Sequence, residues 1–286
     1  MTFSQNDAGR RLIGIDVGGT KVRAIAADEH GVVLAEATEP TAPEIVAQLV
    51  RLIRDLGPAH GIGIGVPGAV HPETGVITKV PNVPELEGLT LAAHLEQALG
   101  APVAVENDVL TAALAERGED AGEPLAVVAA GTGIGLGLVY RGSVLRGAHG
   151  AAGEIADLPL PDGRILEDHV SISGLLQAYR TAGGTTAADT NELFDEASAG
   201  SPAATQAIDE YAKWLAYGMR TVVATVDPGR IVLTGGLGGA PATRAALRRH
   251  LDPAIDAIIV VSEHGGDAPA QGALRLAAAA SLSPAL

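Results

Sequence analysis

The sequence predicts an α/β protein made of two similar halves that face each other across a cleft. A strand, glycine turn, strand pattern runs from Leu12 to Asp28, and the same pattern returns from Leu125 to Tyr140. Between and after these hairpins, buried apolar strands alternate with helices of amphipathic spacing. Two such halves place both glycine turns at one cleft, able to grip opposite ends of a phosphate chain.

In the first hairpin Ile13, Ile15 and Val17 alternate into Gly18-Gly19, and Val22, Ala24 and Ala26 alternate out. This is the spacing of a hairpin whose turn uses glycine at positive φ. Asp16, Thr20 and Lys21 stand at its tip. Backbone N–H groups beside residues without Cβ form a concave anion site, and the Asp16 carboxylate suits Mg²⁺, directly or through water. The tip reads as a nucleotide site, although Asp-x-Gly-Gly-Thr alone is first of all a good turn.

A further strand is expected at His30–Leu34, a helix at Glu44–Arg54 and a buried strand at Gly61–Val66. Pro67-Gly68-Ala69-Val70 breaks that strand sharply, which suits a ligand edge and equally an ordinary turn. The polar segment His71–Val80 and the proline-bracketed loop Pro81-Asn82-Val83-Pro84 lead to a helix at Leu89–Leu99 and a strand at Pro102–Val105. That strand delivers Glu106-Asn107-Asp108 just before a helix at Val109–Glu116. A helix cap accounts for Asn107 and Asp108; a general base aimed at a hydroxyl also accounts for Asp108. Position alone does not choose.

The second hairpin turns at Gly131-Thr132-Gly133 and continues to a short strand at Arg141–Leu145. Its glycines are spaced in twos and run into a strand, whereas a dinucleotide Gly-x-Gly-x-x-Gly opens a helix. A Walker loop needs Gly-Lys-Ser/Thr before a helix, and here Thr20 precedes Lys21 and a strand. Neither motif fits. Downstream, Glu154 and Asp157 follow the glycine-rich loop from Gly147 to Gly153. Glu167, Asp168 and His169 precede a helix at Ser171–Thr181, where a carboxylate also favours the helix dipole. A surface helix is expected within Thr181–Ser201 and a long amphipathic helix at Ala203–Val226, with Trp214 in its core or rim. Arg230–Thr234 is a third strand entering glycines, Gly235-Gly236, before a helix at Ala240–His250 whose N-terminus suits a nucleotide's α-phosphate and adenosine. A strand at Ile258–Val261 and an alanine-rich helix at Ala268–Ala280 close the chain.

The 286 residues are 47% hydrophobic and only 2% aromatic, so packing relies on small aliphatic side chains and close backbone approach. A net charge of −15 argues against a surface for nucleic acid or anionic lipid. Without cysteine there are no disulfides or thiolate metal sites. The polar segment Met1–Arg11 lacks a secretory or membrane run, so a cytoplasmic protein is expected.

Taken together, Asp16-Val17-Gly18-Gly19-Thr20-Lys21, Gly65-Val66-Pro67-Gly68, Glu106-Asn107-Asp108, Gly131-Thr132-Gly133-Ile134-Gly135, Gly147 through Glu154 and Thr234-Gly235-Gly236 resemble the ROK family of bacterial sugar kinases and related repressors. The resemblance runs from about Leu12 to the last helix. It implies two ribonuclease-H-like domains of the actin/hexokinase type with an interdomain cleft: residues 1–115 with the C-terminal helix 267–286, and a larger domain over 116–266. By motif match, Asp16, Gly18, Gly19, Thr20, Lys21, Gly131, Thr132 and Gly133 hold the phosphates of ATP and Mg²⁺, and Gly235 and Gly236 lie against adenosine. Gly68, Asn82, Asn107, Glu154, Asp157 and Glu167 surround the sugar, and Asp108 takes the proton of its primary hydroxyl. Asp157 stands where the family usually has histidine, and the family's cysteine-rich zinc motif is shortened to Pro161–Glu167, so no zinc is expected. The implied activity is ATP-dependent phosphorylation of a hexose-type acceptor: glucose, an N-acetylhexosamine, an aminohexose or a cyclitol. The alternatives are a sugar-sensing regulator without chemistry and a polyphosphate-dependent kinase. The family's repressors carry an N-terminal DNA-binding module, for which there is no room before Arg11. A homodimer is the family expectation.

Overall fold

The computed structural model describes residues 9–80, 82–117 and 122–282. The N-terminal segment through Ala8 and Pro81 of the proline-bracketed loop lie outside them. Along the chain run β1 (Leu12–Val17), β2 (Lys21–Ala27), β3 (Val33–Pro40), α1 (Ile45–Leu56), β4 (Gly61–Val66), β5 (Ala69–Val70), β6 (Ile77–Thr78), α2 (Leu91–Leu99), β7 (Val103–Asn107) and α3 (Asp108–Glu116). There follow β8 (Leu125–Ala130), β9 (Ile134–Tyr140), β10 (Ser143–Val144), α4 (Ile172–Thr181), α5 (Thr190–Ser198) and α6 (Pro202–Val226). The chain ends with β11 (Arg230–Thr234), α7 (Pro241–Leu247), α8 (Pro253–Ala257), β12 (Ile259–Val261) and α9 (Ala268–Ala280).

These elements form two compact units. The first comprises the chain up to Arg117, Ser143–Ala152 and the chain from Asp267 onward; the second comprises the stretch after Arg117 up to Gly142, and Gly153–Gly266. This grouping differs from the division drawn from the sequence at 115/116 in two places: residues 116–117 and 143–152 fall in the first unit. The reason is hydrogen bonding. Arg275 donates to the carbonyls of Leu114 and Arg117, tying the end of α3 to α9, and Arg146 pairs with Glu106 on β7.

The first sheet has the order β3-β2-β1-β4-β7, with β1 to β3 antiparallel and β4 and β7 parallel to β1. The second repeats it as β10-β9-β8-β11-β12, with β8 and β9 antiparallel and β11 and β12 parallel to β8. The repeated order is that of a ribonuclease-H-like domain. It carries into structure the repetition read in the two glycine hairpins.

Each sheet is covered by the helices its apolar periodicity predicts. In the first unit Ile45, Leu49, Leu52 and Ile53 of α1 bury against Ile13, Ile15, Ile62 and Ile64. In the second, Tyr211, Leu215, Met219 and Val222 of α6 lie in one core with Val128, Ile231 and Leu233. Two elements depart from expectation. Strand β3 runs on to Pro40, because its backbone pairs with β2 from Lys21 to Ala27 despite an exposed outer face. Helix α7 stops at Leu247 and a separate α8 precedes β12, because Asp252 caps a new helix with Pro253 in its first turn.

On the other face of the first sheet α9 lies with its backbone almost on the strands. A Cβ built on Gly63 would stand 1.9 Å from the Ala273 carbonyl oxygen, on Gly61 2.3 Å from that of Ala277, and on Gly14 2.5 Å from that of Ala270. Gly272 of α9 approaches α3 the same way, 1.6 Å from Thr111 O. Backbone cannot retreat as a side chain can, so these glycines set the seat of α9. Gly63→Ala is expected to cost at least the roughly 1–3 kcal/mol of ordinary overpacking. Gly122→Ala, with no atom within 4 Å of the new Cβ, is the neutral control in the same denaturant titration.

Candidate active site

In the first unit the tip of the β1–β2 hairpin is closed by Gly18 N–H donating to Lys21 O at 2.9 Å, and Thr41 buttresses it by donating from Oγ1 to Gly18 O at 2.6 Å. Neither Gly18 nor Gly19 has positive φ, which corrects the reason given for glycine here. The requirement is space. A Cβ on Gly19 would stand 2.9 Å from Cβ of Asn82, and one on Gly18 3.0 Å from Lys21 O. Asn82, expected near the acceptor, is thus held against the glycine turn.

The corner between β7 and α3 is built around Asn107. Its Oδ1 accepts from Val109 N–H at 2.9 Å and Leu110 N–H at 3.1 Å, while its Nδ2 donates to Gly68 O at 2.8 Å. Gly68, at φ +89°, sits where a Cβ would meet Thr78 O at 2.4 Å. The cap reading of Asn107 therefore holds, and the cap also fixes the Pro67–Gly68 bend. With Asn107 as the cap, Asp108 becomes the first residue of α3. Its Oδ1 accepts from Val109 N–H at 2.8 Å, and Thr111 Oγ1 donates to its carbonyl at 2.7 Å.

Asp16 and Asp108 act on each other electrostatically. Burial first, then the charge of Asp108, push Asp16 up to about 7; Lys21 opposes them, and Asp267 adds to the rise. A pair of hard carboxylate groups whose charge Lys21 only partly offsets fits Mg²⁺, an ion held by one or two carboxylates together with phosphate oxygens.

In the second unit the turn Gly131-Thr132-Gly133 is closed by Gly131 N–H on Gly133 O at 2.9 Å, and Gly131 O accepts from Ile172 N–H at 2.9 Å, the first residue of α4. Glu167 packs on this turn: its Oε2 accepts from Ile134 N–H at 3.2 Å, and a Cβ on Gly133 would stand 2.2 Å from that oxygen. The third glycine turn meets the second, since a Cβ on Gly131 would lie 3.8 Å from Gly236 N. Gly131, Thr132, Gly133, Gly235 and Gly236 thus share one stretch of nearly bare backbone. The expected glycine turn precedes the helix, whose start falls one residue after the Ala240 read from the sequence. Leu237 and Gly238 N–H both donate to Ala130 O at 3.0 Å, which closes that turn, and α7 begins at Pro241.

A cleft of about 710 Å³ opens beside Thr132 and Glu167, with Arg164, Ser173, Gln177 and Arg180 on its walls. Glu154 precedes and Asp157 ends a single 3-10 turn at Ile155–Asp157, joined to the turn that carries Glu167 by Leu166 N–H on Leu158 O at 2.9 Å. The loop between is fastened by side chains the sequence reading had not connected. His169 and Asp162 lie 2.9 Å apart, Arg164 donates to His169 Nδ1 at 2.9 Å, and Trp214 stacks on the imidazole with centroids 4.4 Å apart. Asp162 is held down at about 2, hydrogen bonds from Arg164 and His169 outweighing desolvation. The pair Glu106–Arg146 in the first unit also escaped notice. Their separation of forty residues gives no local signal.

The chain matches the ROK family over residues 12–280. It is 27% identical to a beta-glucoside kinase of Listeria innocua, over 92% of this chain and 96% of that protein. Its fold superposes on a ROK hexokinase from Thermus thermophilus with a TM-score of 0.78 and 32% identity, covering 94% of this chain and 98% of that one. A ROK family glucokinase from Streptomyces griseus, in complex with glucose and AMPPNP, gives a TM-score of 0.78 at 25% identity, over 94% and 99% of the two chains.

The raised Asp16 gives a stability test with a definite sign. An aspartate whose folded pKa lies above its unfolded value near 3.9 loses its stabilising contribution as pH rises from about 4 through about 7. Asp16→Asn in the ligand-free protein is therefore expected to raise Tm at about pH 8 and to leave it little changed at about pH 4, measured by differential scanning calorimetry.

Proposed function

The chain is a member of the ROK family, and on that premise we propose that it is a sugar kinase that transfers the γ-phosphoryl group of ATP to a primary hydroxyl of a hexose or hexose-like acceptor. The observation that carries the reading is the Asp16–Asp108 pair: one carboxylate beside a glycine turn, the other at the start of α3, acting on one another. Phosphoryl transfer asks for this division of labour, with one acid on the phosphate side and another to orient and deprotonate the attacking hydroxyl.

In this reading Asp16 holds Mg²⁺, directly or through water, and the ion supplies neutralisation of phosphate charge when bound. Gly18, Gly19, Thr20 and Lys21, with Gly131, Thr132 and Gly133, take the phosphates through N–H groups that no Cβ shields. Gly235 and Gly236 lie against adenosine, supported by the contact of Gly236 with Gly131. Gly68, Asn82, Asn107, Glu154, Asp157 and Glu167 meet the acceptor. Asn107 keeps one amide hydrogen for it beyond the bond to Gly68 O. Asp108 takes the hydroxyl proton as the oxygen attacks the γ-phosphorus, and the bond to the β–γ bridging oxygen breaks. No zinc takes part. Among the described residues no helix is long and apolar enough to cross a membrane; we place the enzyme in the cytoplasm as a homodimer, a state that light scattering reads directly.

The test is ADP release coupled to an indicator reaction, run with glucose, N-acetylhexosamines, aminohexoses, β-glucosides and cyclitols, and repeated with polyphosphate in place of ATP, where the phosphorylated acceptor itself is measured. Acceptor-dependent ADP release is expected; acceptor binding without turnover of either donor would make the protein a sensor. Asp108→Asn is expected to lower kcat by roughly 10²–10⁴-fold while the acceptor Kd, measured by calorimetry, stays within a few-fold of wild type.

A further inference from the structure

Two residues before Asp108, at the buried end of β7, stands a carboxylate with no place in the reaction described above. Glu106 is 1% exposed. Its Oε1 accepts from Asn107 N–H at 3.0 Å, and its Oε2 is paired with Nε of Arg146. Arg146 comes from the segment 143–152, a strand-ending loop that returns to the first unit. That loop is itself anchored: Ala152 N–H donates to Arg146 O at 3.1 Å, and Gly150, at φ +76°, sits where a Cβ would meet Val70 O of β5 at 2.9 Å.

The pair therefore joins a loop far along the chain to the corner that presents Asp108. On one side of that corner β7 is fixed by its register with β4, where Gly65 faces Glu106 and Val66 faces Asn107. Above it, Asn107 holds the first turn of α3 and the Gly68 carbonyl. Glu106 is the remaining support, since it grips the N–H of Asn107 itself. A carboxylate buried this deeply keeps its charge and its orientation only while a cation faces it. Asp16 and Asp108 already crowd the same end of the sheet with negative charge. Arg146 supplies the positive charge that lets a third carboxylate stand there.

We propose that Arg146 is a positioning residue for phosphoryl transfer: by pairing with buried Glu106 it fixes the Asn107–Asp108 corner and aims the Asp108 carboxylate at the acceptor hydroxyl. The inference rests on Asp108 acting as the base, and its test separates the two claims. Removing one member of a buried pair leaves an uncompensated charge, whereas removing both does not. Arg146→Gln is therefore expected to lower kcat by about tenfold or more with acceptor and ATP KM within about twofold of wild type. The double variant Arg146→Gln/Glu106→Gln is expected to recover kcat to within about threefold of Glu106→Gln alone, and Arg146→Lys to retain most activity.

Each variant is compared at equal folded fraction, checked by thermal melting. If Arg146→Gln does not fold, Arg146→Lys and the double variant still carry the comparison. A double variant as impaired as Arg146→Gln would mean that Arg146 acts on substrate and not through Glu106, and would overturn the proposal. So would a lowered Tm with kcat unchanged, which marks a structural role only. Asp108→Asn is assayed alongside. Near-normal turnover there removes the base from Asp108, a failure distinct from any outcome at Arg146.

Discussion

Backbone lying against backbone, with no side chain between, is the constraint on which the rest of this protein depends. In a chain with 2% aromatic residues and 37 glycines, α1 and α6 are held on their sheets mainly by apolar side chains. Helix α9 is instead seated on β1 and β4 through Gly14, Gly61 and Gly63, and against α3 through Gly272. The same device recurs where chemistry is proposed. Gly19 admits Asn82, Gly133 admits Glu167, and Gly235 admits the Ala130 carbonyl. Core and site thus use glycine for one physical purpose: to let a polar group or a carbonyl come closer than a Cβ would permit.

The second theme is negative charge gathered at strand ends. Asp16 stands next to the end of β1, Glu106 next to the end of β7, Asp108 opens α3, and Asp267 precedes α9. Such crowding opposes folding, and the structure answers it unevenly. Glu106 receives a guanidinium of its own, Asp267 shares Arg23 with Glu36, and Asp16 has only the partial opposition of Lys21. The acid left least compensated is the one proposed to meet a metal and a triphosphate. A site that awaits a cation is less stable without it, and the rest of the unit carries that cost.

Much of this was legible in the residues because it is encoded at short range. The two glycine hairpins, the apolar faces of α1 and α6 and the limits of α9 follow from alternation, helical spacing and breakers. Asn107 was legible as a cap because the geometry of a first helical turn is local. What escaped was of two kinds. Some was local but weakly marked, such as Asp252-Pro253 starting α8. The rest was non-local: the Asp162–Arg164–His169 clasp with Trp214 on its face, and the Glu106–Arg146 pair.

By itself the sequence determined the elements, their repetition, the family and the residue types available for phosphoryl transfer, because periodicity and motif spacing are properties of consecutive residues. The tertiary structure alone decided why the site glycines are needed, which for Gly18 and Gly19 is room and not φ. It also decided which acids receive a cation and where the segment 143–152 belongs. Steric contact and charge compensation depend on distance in space, and residues forty or two hundred positions apart acquire a distance only when the sheets assemble.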